Sequence, residues 1–148
     1  MLHLKVTAHP TAAWTAQQVV EACGWNQAPS YLIRDRDGIY GDAFRRRVAS
    51  LGVEEILIAP RAPWQNAYAE RFIGSLRREC LDHVLVLNEQ HCRKVLSGYA
   101  RYYNRSRTHL ALEKDAPEPR MKHGLERGEI VAFPEVGGLH NRYERRAA

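Results

Sequence analysis

No stretch of this 148-residue chain approaches the about 20 consecutive apolar residues that a membrane-crossing helix needs. The opening MLHLKVTAHP lacks the pattern of a cleavable signal. Cysteine is scarce. Cys23, Cys80 and Cys92 are odd in number, far apart and at no zinc-binding spacing. That excludes a disulfide framework and a zinc module, and we expect buried thiols in a reducing compartment. Repeats and low-complexity segments are lacking. Lysine is sparse beside arginine, and aspartate is missing altogether before Asp35. The length bounds the chain to one domain with one modest core.

What is present is a formal charge of +5 carried mainly by arginine. Arg45, Arg46 and Arg47 cluster, as do Arg71, Arg77 and Arg78, and Arg101, Arg105 and Arg107. A guanidinium grips phosphate bidentately, whereas an ammonium is a point charge. The balance favours a polyanionic partner, although solvated arginine faces would give the same composition.

Leu2, Leu4 and Val6 alternate with His3 and Lys5, which predicts a strand. A helix is expected from Thr11 to Cys23, with Gly24 as its C-terminal cap. Ser30–Arg34 reads as a buried strand ending at Asp35, followed by a turn through Asp37, Gly38, Tyr40 and Gly41. Asp42 can cap a helix to Leu51, with Phe44, Val48 and Leu51 as its apolar stripe and Gly52 as its stop. Val53–Ile58 reads as another strand. This alternation argues for an α/β fold. The rest is helical. Asn66 is expected to cap a helix to Leu81, and Asn88 one to Tyr103. The tail from Met121 has one candidate strand, Ile130–Phe133, and a frayed end at RYERRAA.

On the helix from Asn66, at about 100° per residue, Ala69, Phe72, Ile73, Leu76 and Cys80 form one apolar stripe. Glu70 falls at its edge, with Arg77 near the same line. Glu70 lies in the first turns, where the helix dipole favours an anion. A strand-end aspartate, a helical glutamate and many arginines suggest a metal-dependent enzyme of nucleic acid. A first-turn glutamate is also common without any such role.

The pattern PxxPxxNxxxERxxxxLxRE runs through Pro60, Pro63, Asn66, Glu70, Arg71, Leu76, Arg78 and Glu79. It resembles the third-carboxylate motif of the retroviral-type integrases, the DDE transposases of bacterial insertion sequences. RDRDGIYGDAF, Arg34 to Phe44, resembles the segment around that family's second catalytic aspartate, with Asp37 where glycine is usual. YNRSRTHLALEKDAPEPR, Tyr103 to Arg120, resembles its YNxxRPHxxL tail, with Thr108 in place of proline. The resemblance implies an α/β, ribonuclease-H-like integrase core over residues 1–120, lacking its first two strands and followed by C-terminal helices, with a tail at 121–148. It implies Asp35 and Glu70 as catalytic metal ligands for Mg²⁺ or Mn²⁺, and DNA contacts from Trp64, Gln65, Asn66, Arg71, Arg77, Arg78, Arg105 and Arg107. The chemistry would be phosphoryl transfer on DNA, at element ends and target. Trp64 would stack on a base or pack back on the core. Asp37 would assist Asp35 or simply make the turn. His91 and His109 have no second ligand at useful spacing.

That family's site needs a third carboxylate, an aspartate on the first strand. With the aspartate absent, the expectation is a chain that does not cut or join DNA alone. Removing one carboxylate near a divalent ion costs about 2 kcal/mol even after heavy discounting, more than a tenfold loss in metal affinity. The alternative is a non-catalytic basic DNA-binding fragment that binds or inhibits a full-length transposase, or self-associates. The resemblance further implies a bacterial cytoplasmic location on the nucleoid, with no membrane partner. A reduced sheet with an exposed edge is expected, with Leu2–Thr7 either pairing with Ser30–Arg34 or separated from it by a gap.

Overall fold

A computed structural model describes residues 3–24, 28–121, 124, 126 and 128–146. Packing divides the chain into two compact units, one built on residues 5–74 with His3 and the other on residues 75–148 with Leu4. The expected division at residue 120 therefore falls inside the second unit.

The first unit runs α1 (Ala12–Cys23), β1 (Tyr31–Arg34), α2 (Asp42–Ser50) and β2 (Glu54–Leu57). Thr11 caps α1 by accepting from the Trp14 amide at 3.2 Å, and Gly24 ends it at φ +61. β1 and β2 pair in parallel, with Ile33 opposite Ile56. The core consists of Ala16 from α1, Phe44 and Val48 from α2, and Val53, with Val19, Leu32 and Tyr40 packed against it. Leu32 and Arg34 turn toward this core. Their neighbours Tyr31 and Ile33, and Ile56 beside them, are exposed. The helices thus cover one face of the two-stranded sheet, and an apolar strip lies open on the other. The α/β alternation is as expected from sequence.

Three details differ. His3–Thr7 has no regular secondary structure and joins no strand pair among the described residues. Alternating side chains favour a strand only where a neighbour takes up the backbone hydrogen bonds. Leu2 lies outside the described residues. The N-cap of α2 is Gly41 rather than Asp42. Asp42 sits in the first turn, 3.6 Å from Arg45, where its charge complements the helix dipole. Among the thiols only Cys80 is buried, while Cys23 and Cys92 are half-buried.

Beyond β2, a 3₁₀ turn at Pro63–Asn66 runs directly into α3 (Ala67–Glu79), which passes from the first unit into the second. Asn66 ends that turn and does not cap α3, and α3 stops two residues short of Leu81. Leu76 and Cys80 are buried as expected, but Ile73 is 47% exposed. In the second unit α4 (Glu89–Arg105) starts at Asn88, whose side chain accepts from the His91 amide at 2.8 Å. Tyr99 is fully buried. A hairpin follows, β3 (Glu129–Glu135) against β4 (His140–Arg146). The end expected to fray is therefore paired as far as Arg146. Its half-buried face mixes Val131 and Phe133 with charged side chains: Arg142 lies 4.9 Å over the Phe133 ring, and His140 stacks on Tyr102 at 4.3 Å. The hairpin turn holds Gly137 and Gly138 at positive φ, and Val136 as well.

Candidate metal and DNA site

Asp35 is placed by what its predecessor does. Arg34 is buried, donating through Nε to Glu55 at 2.5 Å and through Nη1 to the Asp35 carbonyl at 3.0 Å. Its guanidinium lies over the rings of Tyr40 (4.9 Å) and Phe44 (5.6 Å). The strand tip is thereby pinned while the Asp35 side chain stays exposed. Asp35 Oδ1 accepts from the Asp37 amide at 3.2 Å, and Asp37 Oδ1 accepts from the Ile39 amide at 3.0 Å. These are consecutive Asx turns, so the Asp37 carboxylate is engaged in turning the chain. Burial, then the charges of Asp35 and Asp37, push the Tyr40 hydroxyl pKa up.

The loop leaving β2 is tied to the same end of the sheet. Arg36 Nε donates to the Ile58 carbonyl at 3.1 Å, and Gln65 Oε1 accepts from the Ala59 amide at 2.7 Å. Arg61 takes a left-handed conformation (φ 58) and Ala62 is buried. Pro63 then opens the 3₁₀ turn, and Glu70 follows in the first turn of α3, exposed. Asp35 and the loop leading to Glu70 thus both issue from the carboxyl ends of two parallel strands, which is where open α/β sheets place their ligands.

The remaining expected contacts divide between the units. Trp64 is 71% exposed, which removes the reading in which it packs on the core. Asn66 is half-buried and Arg71 exposed, both in the first unit. Arg77 and Arg78 are exposed on the part of α3 belonging to the second unit. Arg105 bonds Glu118 at 2.8 Å. Arg107 grips Glu79 bidentately, Nη2 to Oε1 at 2.6 Å and Nε to Oε2 at 2.8 Å, and Tyr99 adds its hydroxyl to Oε2 at 2.9 Å. This guanidinium holds Glu79 below the usual carboxylate range, and Glu79 in turn raises Arg107. Sequence reasoning missed that triad. Its three members are separated by 20 and 28 residues, and only the conjunction of a glutamate in one motif with an arginine in the next hinted at it.

A divalent ion needs hard oxygen donors, and Asp35 and Glu70 offer exposed carboxylates. Among the described residues no three His, Cys, Asp or Glu side chains gather at one place. Two carboxylates suit Mg²⁺, which keeps several waters and is commonly held by one or two carboxylates together with substrate phosphates.

An α/β protein with an aspartate just beyond one parallel strand and a glutamate opening the helix that follows the next is the class these features define. Residues 51–117 match the integrase core domain family. The match takes in just under half of the chain, and proteins of two insertion elements are similar to the chain as well. The matched segment includes Glu70 and Arg107 but not Asp35. The chain is 41% identical over 66 residues to an uncharacterized 39.2 kDa protein of insertion element IS476 from Xanthomonas euvesicatoria, covering 45% of this chain and 19% of that protein. It is 38% identical over 86 residues to an uncharacterized 31.7 kDa protein of insertion element IS407 from Burkholderia multivorans, covering 57% and 31% respectively. The chain thus spans less than a third of the length of either. No solved structure gives a significant match.

Proposed function

We propose that this chain supplies two carboxylates, Asp35 and Glu70, of a ribonuclease-H-like transposase site for metal-dependent phosphoryl transfer on DNA. The observation that supports this is the lacing of Arg36 to Ile58 and of Gln65 to Ala59, which ties the loop leading to Glu70 to the end of the sheet where Asp35 lies. A bound Mg²⁺ or Mn²⁺ would stabilise the attacking and leaving oxygens of an in-line displacement at phosphorus. Asp35 and Glu70 would hold it, with Arg34 keeping the Asp35 backbone fixed. Gln65 would keep the loop in place, and the outward indole of Trp64 offers a face for a base.

The test is direct. Purified chain is titrated with Mn²⁺ by paramagnetic resonance, then incubated with a terminal-repeat duplex and Mg²⁺. Weak metal binding that Asp35→Asn and Glu70→Gln each lower further supports the reading. Metal binding indifferent to both substitutions overturns it. On its own the chain is expected to transfer no strands, because residues 1–34 contain no aspartate. Robust transfer abolished by Glu70→Gln would show that two carboxylates suffice.

A second reading is that of a basic module that binds DNA, or joins a full-length transposase, without catalysis. The lack of a third potential ligand near either carboxylate among the described residues favours it. DNA binding without any measurable Mn²⁺ affinity would select it.

A further inference from the structure

The second unit carries a surface that the carboxylates do not use. Along α4, His91, Lys94, Gly98, Arg101 and Arg105 follow one another at steps of three, four, three and four residues. At about 100° per residue they fall in one stripe roughly 80° wide, running about 21 Å along the axis. The stripe borders two clefts closed on the far side by the β3–β4 hairpin, of about 680 Å³ and about 770 Å³. Lys94 and His91 line the first, Arg105 lines the second, and Arg101 lines both.

Each acid around these clefts has a cationic neighbour, although Glu135 Oε2 is buried without a hydrogen-bond partner among the described residues. Glu118 takes Arg105, while Glu135 and Glu144 take Arg142. Lys94 and Arg101 are exposed, and neither has an ion-pair or hydrogen-bond partner among the described residues. Between them sits Gly98, where a Cβ would meet nothing within 4 Å. A mid-helix glycine costs stability. Here it leaves the helix backbone bare between two free cations. Lys94 and Arg101 stand about 10 Å apart along the helix, too far to hold one phosphate together and well placed for two along a strand.

We propose that this channel binds a DNA backbone, with Lys94 and Arg101 on separate phosphates of one strand. The repeating anion follows from the geometry; its being DNA rests on the function proposed above. The experiment uses the whole chain in EDTA, with a fluorescently labelled random-sequence duplex titrated over a range of NaCl concentrations. Lys94→Gln/Arg101→Gln should lower affinity about tenfold at low salt and flatten the log–log salt slope by about two, near 0.9 for each phosphate no longer neutralised. Lys94→Arg/Arg101→Lys should keep the wild-type slope, and circular dichroism establishes that each variant is folded. Gly98→Glu, placing a carboxylate on the open floor, should weaken binding as well.

A wild-type slope in the Gln double variant overturns the proposal, as does a wild-type chain that binds no duplex at low salt. Displacement by poly-glutamate as readily as by unlabelled duplex also overturns it, in favour of an acidic protein partner. With no metal present, failure here leaves the Asp35 and Glu70 reading standing. Failure of the Mn²⁺ titration likewise leaves this one standing.

Discussion

Arg107 donates to both oxygens of Glu79, with Tyr99 completing the set, and all three side chains are half-buried or buried. Charge-assisted hydrogen bonds of this kind are each worth about 1.5–3 kcal/mol. Arg107→Ala should therefore cost about 2 kcal/mol in denaturant unfolding, since it strands a partly desolvated carboxylate. The sign of the pH dependence follows from the lowered Glu79 pKa. Its stabilisation is fully present above the unfolded value of about 4.3 and is lost as pH falls through the lower folded value. Melting temperature should drop between about pH 5 and pH 3, and the drop should be shallower in Glu79→Gln. On the proposed metal site, Asp35→Asn should weaken Mn²⁺ binding about tenfold or more, because a divalent ion there would lose the attraction of one of two carboxylates. Asp35 and Glu70 stood out in the sequence because each sits at a junction of elements with a distinctive neighbourhood. The Glu79–Arg107 pair did not, because nothing local distinguishes an arginine that grips a carboxylate from one that faces water.

Elements with local signals were legible. Thr11, Asn88, Gly24 and Gly52 mark ends that the structure reproduces. Elements that depend on a distant partner were not. His3–Thr7 has the alternation of a strand and no ladder among the described residues. β4, spelled HNRYERR, has too little apolar alternation to be read, yet it pairs along its whole length because β3 supplies the ladder and Phe133 takes the Arg142 and Arg146 guanidinium groups. The hairpin turn exacts a cost. Val136 is β-branched and held at φ 52, a conformation costing about 1–2 kcal/mol for an L-residue. Val136→Gly relieves that and loosens the unfolded chain by less. A net gain of about 1 kcal/mol in unfolding free energy, read by chemical denaturation, is the expected outcome.

At the scale of the whole molecule, the sheet of the first unit is two strands wide, with Tyr31, Ile33 and Ile56 in the open on one face. Short parallel pairs with a bare edge and an apolar face are templates for association. Sedimentation should show oligomers growing with protein concentration, and Ile33→Lys should return the chain to monomer without unfolding the Phe44–Val48 core. Concentration-independent monomers in the wild type would refute this. Opposite the open strip, burial does the stabilising. Phe44 is 1% exposed, and Phe44→Ala should cost about 3–5 kcal/mol.

The packing boundary falls between Gly74 and Ser75, in the middle of α3. A cut at that point would sever a hydrogen-bonded rod rather than a tether, orphaning up to four amides on one stump and four carbonyls on the other. Neither half is then a portable module. Gene fusions, protease-trimmed fragments and recombination crossovers should all succeed better at the flanking turns, near residues 60 or 85, than at the seam where the packing itself divides.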